Sequence, residues 1–201
     1  MRARLRQWYE AWLRRRIPPA ARVTLDRHRI FIFPTGYGFF YILIAAILFI
    51  GGINYENNLV MAFSFLMTSL FVLAILHTFR NLSGIVLRAG VSEPGFAGGR
   101  GTLEVVLDAG DRRWHRSLWL RWPGGTAREL SVSPGEEVSC ALELPLPRRG
   151  RVFPGRLRIQ TRYPLGLLRA WSLADLDHWC LAWPQPLPGG ECPASGGDDD
   201  E

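Results

Sequence analysis

Residues 30–79 read IFIFPTGYGFFYILIAAILFIGGINYENNLVMAFSFLMTSLFVLAILHTF, and the only Asp, Glu, Lys or Arg among them is Glu56. Glu56 lies inside Asn54-Tyr55-Glu56-Asn57-Asn58, which divides the stretch into two charge-free runs, 30–55 and 57–79. A bilayer's hydrocarbon core is about 30 Å thick and takes roughly 20 apolar residues as a helix. Two runs of that length, hinged by a polar segment, predict a two-helix transmembrane hairpin with helices near 36–53 and 59–79.

Charge is spread unevenly around this hairpin. Residues 1–34 carry nine arginines against Glu10 and Asp26, a net +7; residues 35–81 are neutral, and residues 82–201 carry −1. The high isoelectric point therefore belongs to the N-terminal arm, and the chain as a whole is not a generic binder of polyanions. Short basic flanks stay in the cytoplasm. Arg14, Arg15, Arg16, Arg22, Arg27 and Arg29 precede the first helix and Arg80 and Arg88 follow the second, while the tip carries no basic residue. Both termini are thus expected in the cytoplasm, with 54–58 outside. The first apolar run starts far from Met1, is too long for a signal-peptide core and lacks a small-residue cleavage pattern, so it reads as an uncleaved anchor. Cys140, Cys180 and Cys192 show no metal or disulfide spacing, which fits a reducing compartment.

Within the arm, Leu5, Trp8, Tyr9, Trp12 and Leu13 recur on one face of a helix. With Arg14, Arg15 and Arg16 beside them, Trp8 and Trp12 are candidate membrane-interface residues on an N-terminal amphipathic helix. Pro18-Pro19 ends it. Small and hydroxyl residues, Ala45-Ala46 on the first membrane helix and Ser64 and Thr68 on the second, are expected to meet where the helices pack.

After Gly84 the apolar period changes to two. Val138, Cys140, Leu142 and Leu144 alternate with Ser139, Ala141 and Glu143, and Leu157 and Ile159 alternate with Arg156, Arg158 and Gln160. Turn signals punctuate the pattern at 109–111, 123–125, 133–135 and 154–155. This spacing predicts an all-β domain, an antiparallel β-sandwich. Four segments result: a basic cytoplasmic arm at 1–34, the transmembrane hairpin at 35–81, a β-sandwich domain at 82–186 and a flexible acidic tail at 187–201.

Chemistry is hard to find. No Walker loop, no nucleophile–base arrangement and no metal-ligand spacing occurs; His178 beside Asp175 and Asp177 reads as a turn, not a metal site. No catalytic, cofactor-binding or metal residue is assigned, and no cofactor is expected. The unusual feature is the run from Arg148 to Arg162, six arginines without an acid. In an extended strand Arg156, Arg158 and Arg162 share one face, a candidate contact for an anionic surface. A solvated face, a lipid-headgroup contact and a nucleic-acid contact compete, the last without any recognised RNA- or DNA-binding motif.

Two strings carry a family resemblance. His77-Thr78-Phe79-Arg80-Asn81-Leu82-Ser83-Gly84, and Thr161-Arg162-Tyr163-Pro164-Leu165-Gly166-Leu167-Leu168-Arg169-Ala170-Trp171 with Trp183-Pro184-Gln185-Pro186 after it, resemble the N-terminal part of bacterial membrane proteins of the domain of unknown function 58 family. The resemblance covers roughly residues 30–186. It implies a bacterial inner-membrane location, a two-helix anchor followed by a β-rich domain, and then a cytoplasmic von Willebrand A-like domain with the family's hallmark motif. The acidic stretch 196–201 looks like the approach to that motif, so the A-like part is expected to be missing and no family site residue is carried over. Genes of the family often neighbour those of MoxR-type ATPases and transglutaminase-like membrane proteins, which makes these the implied partners beside the phospholipid bilayer. The expectation is a non-enzymatic, membrane-anchored scaffold or docking protein. The alternative is a lipid-headgroup or nucleic-acid binding module using strand 148–162.

Overall fold

The computed structural model describes residues 20–26, 29–110 and 113–186. The amphipathic arm with Trp8, Trp12, Arg14, Arg15 and Arg16, and the acidic tail 187–201, lie outside the described residues.

Two long apolar helices stand together: α1, Gly36–Asn54, and α2, Asn58–Leu82. Each starts at a capping side chain. The Thr35 hydroxyl accepts the Gly38 N–H at 3.2 Å, and Asn57 Oδ1 accepts those of Leu59 and Val60 at 3.1 and 3.2 Å. Both helices are long and apolar enough to span a membrane, and only 17% and 11% of their most apolar stretches is buried within the protein. That low burial separates them from the core helices of a water-soluble fold. Large side chains such as Phe39, Leu43, Ile47, Ile50, Phe63 and Leu66 face outward instead.

The helices touch through small residues. The Ser64 hydroxyl donates to the Ala45 carbonyl at 2.9 Å, and Gly52 packs against Met61 with no room for a Cβ. Thr68 departs from the expected seam: its hydroxyl bonds back to Ser64 O within its own helix, and Ala46 is exposed. A hydroxyl four residues downstream of a carbonyl satisfies itself locally before reaching a neighbour. At 1.5 Å per residue, the 25-residue α2 is about 37 Å long, more than a hydrocarbon core requires. Its last turn is buried in the β region, where Thr78, Asn81 and Leu82 are each under 5% exposed.

The rest of the described chain is all-β. Its strands are β1 (Arg22–Thr24), β2 (Phe31–Pro34), β3 (Val86–Glu93), β4 (Gly95–Phe96), β5 (Arg100–Asp108), β6 (His115–Arg121), β7 (Arg128–Val132), β8 (Glu137–Pro145), β9 (Gly150–Val152), β10 (Leu157–Thr161), β11 (Leu168–Ala174) and β12 (Cys180–Trp183). They form a four-stranded sheet in the order β1-β3-β5-β8, a five-stranded sheet β2-β11-β10-β6-β7 and a small sheet β4-β12-β9. All neighbours are antiparallel except β12 and β4. Alternation does the sorting: Leu103, Val105 and Leu107 of β5 and Leu118, Leu120, Leu157 and Ile159 of β6 and β10 enter one shared core.

One boundary differs from the sequence reading. Residues 22–34, expected in the basic arm, contribute β1 and β2, so the hairpin is inserted between strands and does not simply precede them. β1 pairs with β3, and β2 with β11. Three- and four-residue strands are too short to display a period, and both lie at sheet edges, where pairing comes from the neighbour's free hydrogen-bonding groups.

Candidate functional site

Two features lie where the hairpin meets the sheets: a buried polar joint and arginines that have no carboxylate partner among the described residues.

The joint centres on Asn81, at the end of α2. Its side-chain NH2 donates to the Arg116 carbonyl at 2.7 Å and to the Thr161 hydroxyl at 2.9 Å, while its Oδ1 accepts the Arg116 N–H at 2.8 Å. The Asn81 backbone carbonyl lies 2.8 Å from His115 Nδ1, so the imidazole carries its proton there. Thr161 also accepts the Tyr163 N–H, and the Thr78 hydroxyl, one turn back, donates to the Tyr163 carbonyl at 2.9 Å. Asn81, His115 and Thr161 are all nearly inaccessible. The start of α1 is tied down in the same way. The Thr35 hydroxyl is 2.7 Å from Gly166 O and 3.0 Å from Leu167 O, and its N–H donates to Leu167 O at 2.8 Å. The two strings on which the family resemblance rests, 77–84 and 161–171, therefore touch each other here. Sequence reading missed Asn81, His115, Thr161 and Thr35 as a unit. The available signal was polar residues at the ends of otherwise apolar elements.

The arginines sort by sheet. On the outer side of the four-stranded sheet they are paired: Arg22 and Arg88 with Asp108 at 3.6 and 3.9 Å, Arg88 with Glu137, and Arg100 with Glu143 at 2.7 Å. Glu104 is satisfied there too, its carboxyl held below the usual range by hydrogen bonds from Ser139 and from the Val91 N–H. Among the described residues no ion pair involves Arg80, Arg113, Arg121, Arg156, Arg158, Arg162 or Arg169.

The three candidates Arg156, Arg158 and Arg162 do not act at one place. β10 ends at Thr161 beside the hairpin base, so Arg162 sits at that level. At about 3.3 Å per residue, Arg158 lies roughly 13 Å and Arg156 roughly 20 Å further along the strand, away from the helices. Arg158 is opposite Arg121 in the ladder and lies over the Trp171 ring, 5.1 Å from its centroid, and Phe31 stacks on that ring with centroids 4.9 Å apart. Burial, then the charges of Arg169 and Arg121, hold its guanidinium below the usual arginine range. Arg156 and Arg158 each keep a buried Nε without a partner among the described residues.

Arg162 instead lines a groove of about 740 Å³ together with Arg169, Phe33, Tyr37 and Phe40. A second groove of about 520 Å³ lies at the end of α2, lined by Leu76, Phe79, Arg80, Ser83 and Arg113. Both place arginine directly beside apolar helix surface. Around His178, the Asp175 carboxylate accepts the Asp177 N–H at 3.4 Å in a local turn, and no group of three potential metal ligands occurs among the described residues.

No protein-family model, curated protein or solved structure matches this chain.

Proposed function

We propose that the chain is a non-enzymatic, membrane-anchored scaffold, with α1 and α2 crossing the bacterial inner membrane, both termini cytoplasmic, and the β region carried as a β-sandwich at the cytoplasmic surface. The observation that carries this reading is the Asn81 joint. A flexible tether needs no buried hydrogen-bond network, whereas four bonds at 2.7–2.9 Å fix the β region's tilt relative to α2. A fixed tilt is useful to a protein that presents a docking surface at a set height above a bilayer. The sandwich assignment draws on the single core shared by the two larger sheets. Membership of the domain of unknown function 58 family is proposed on the two strings that meet at the joint, and a MoxR-type ATPase and a transglutaminase-like membrane protein are the proposed partners on the same ground.

Orientation is tested by thiol labelling of intact cells. Tyr55→Cys, at the exposed tip, is expected to react with a membrane-impermeant maleimide, and Glu136→Cys, exposed in the β region, only after lysis. Asn57 is avoided because it caps α2, and native Cys140 is uninformative because it is buried, with a thiol pushed up by that burial. Equal labelling of both positions in intact cells removes the topology.

Docking is tested by affinity capture of the full chain from detergent extract after co-expression with the MoxR-type ATPase of the same source. Co-elution well above that of an unrelated two-helix membrane protein is expected; recovery equal to that control counts against the scaffold role.

A further inference from the structure

We infer that the groove between the start of α1 and the end of the five-stranded sheet is a binding site for one anionic phospholipid. This rests on the reading that the hairpin crosses a bilayer and adds to it a specific ligand class and place. The groove has two walls of different chemistry. Arg162 and Arg169 supply two positive charges on the sheet side: Arg169 is the residue before Ala170, the last of β11 to pair with β10, Arg162 directly follows Thr161, and both line the groove. Among the described residues neither has an ion-pair partner. Tyr37 and Phe40, 80% and 62% exposed, supply the other wall and belong to the first turns of the apolar helix.

Two guanidiniums that line one groove, with no carboxylate partner among the described residues, gain from a shared anion, and a phosphodiester accepts hydrogen bonds from both. Free phosphate would satisfy the arginines and leave the aromatic wall unused. A phospholipid uses both: phosphate at the arginines, acyl chains continuing down Phe40 and the exposed face of α1. Tyrosine at this level is the usual side chain of a membrane–water boundary. Exposed Phe33, next to Arg169 in the β2–β11 ladder, extends the apolar surface to the groove's rim. Arg158 and Arg156, farther along the strand, are not part of the site.

The test is native mass spectrometry of the detergent-solubilised full chain with equimolar phosphatidylglycerol and phosphatidylcholine. The wild-type chain is expected to retain one phosphatidylglycerol in preference to phosphatidylcholine. Arg162→Gln/Arg169→Gln should lower that retention about 25-fold, since each arginine near an anionic surface contributes roughly a fivefold preference. The control is Arg148→Gln/Arg149→Gln, which removes equal charge beyond β8, whose Pro145 end is the one farthest from α2 in the ladder. It should change retention less than twofold. Circular dichroism identical to wild type establishes that both variants fold. Equal loss in groove and control variants, or no preference for phosphatidylglycerol, overturns the site while leaving the membrane reading intact. A chain that stays monodisperse without detergent overturns the membrane reading itself. Displacement of the lipid by an equimolar single-stranded oligonucleotide would overturn the lipid assignment in favour of nucleic acid.

Discussion

Asn81→Leu is expected to lower the thermal midpoint of the detergent-solubilised chain by roughly 10–15 °C, followed by the fluorescence of the β-region tryptophans. Leucine is nearly the shape of asparagine and keeps the site filled, so no large cavity contributes. It removes the side-chain acceptor of the Arg116 N–H and leaves the Arg116 carbonyl only the longer bond, 3.4 Å, from the Thr161 hydroxyl. Each buried backbone group left unpaired costs about 1–3 kcal/mol, giving on the order of 3–5 kcal/mol here. For a β region of this size, 1 kcal/mol moves the midpoint by about 3–5 °C. The Asn81 backbone bond to His115 survives the substitution, so the loss isolates the side chain. Asn81→Asp is the sharper partner experiment. It preserves the acceptor for Arg116 N–H but turns a carboxylate oxygen toward the Arg116 carbonyl, where neither atom can donate, and should be at least as damaging. Thr161→Val should cost less, about 1–2 kcal/mol, and combining it with Asn81→Leu should fall short of additivity, because both remove the same bond. A midpoint within about 2 °C of wild type for Asn81→Leu would mean that water replaces the side chain, and the rigid-joint basis of the scaffold proposal would be lost.

Much of the fold is legible in the sequence for a physical reason: a membrane and a sheet each impose a period that a single chain displays openly. A 25-residue apolar helix and the alternation of Val138, Cys140, Leu142 and Leu144 with Ser139, Ala141 and Glu143 need no partner to be recognised. The pieces that escape reading depend on partners remote in the chain. Arg22-Val23-Thr24 becomes a strand only because Leu87 lies opposite Val23. Asn81 looks like a helix terminus until Arg116 and Thr161, 35 and 80 residues away, arrive beside it. The arginines show the same limit. Spacing puts Arg156, Arg158 and Arg162 on one face of an extended strand, of which only Arg158 falls within the paired register of β10, and spacing carries no information about which end of a strand lies next to the helices. That end selects Arg162 and joins it to Arg169, a residue on the next strand. Nor can composition tell paired arginines from unpaired ones. Among the described residues, the carboxylates that pair with arginine lie on the four-stranded sheet, at Asp108, Glu137 and Glu143.

Gly38→Ala should destabilise the chain by about 3 kcal/mol, against the usual sign of that substitution. In a helix interior alanine is ordinarily favoured over glycine by about 1 kcal/mol. Gly38 is buried on the first turn of α1, where a Cβ would run into the Leu167 carbonyl oxygen and come within 3.2 Å of Pro34 Cβ. The obstacle is backbone, so no side-chain rotation relieves it. The helix start must instead lift from the turn at 162–167, straining or breaking the Thr35 N–H bond to Leu167 O and the Thr35 hydroxyl contacts with Gly166 and Leu167. Overpacking of about 1–3 kcal/mol and one or two lost bonds of about 1 kcal/mol each set the magnitude. Gly51 of the same helix is the internal control: nothing lies within 4 Å of its Cβ position. Gly51→Ala should therefore be neutral or raise the midpoint slightly, and the two substitutions should move the unfolding transition in opposite directions. If Gly38→Ala tracks Gly51→Ala, the first helix is not seated on the β10–β11 turn, and the groove that Arg162 and Arg169 share with Tyr37 and Phe40 has no fixed wall.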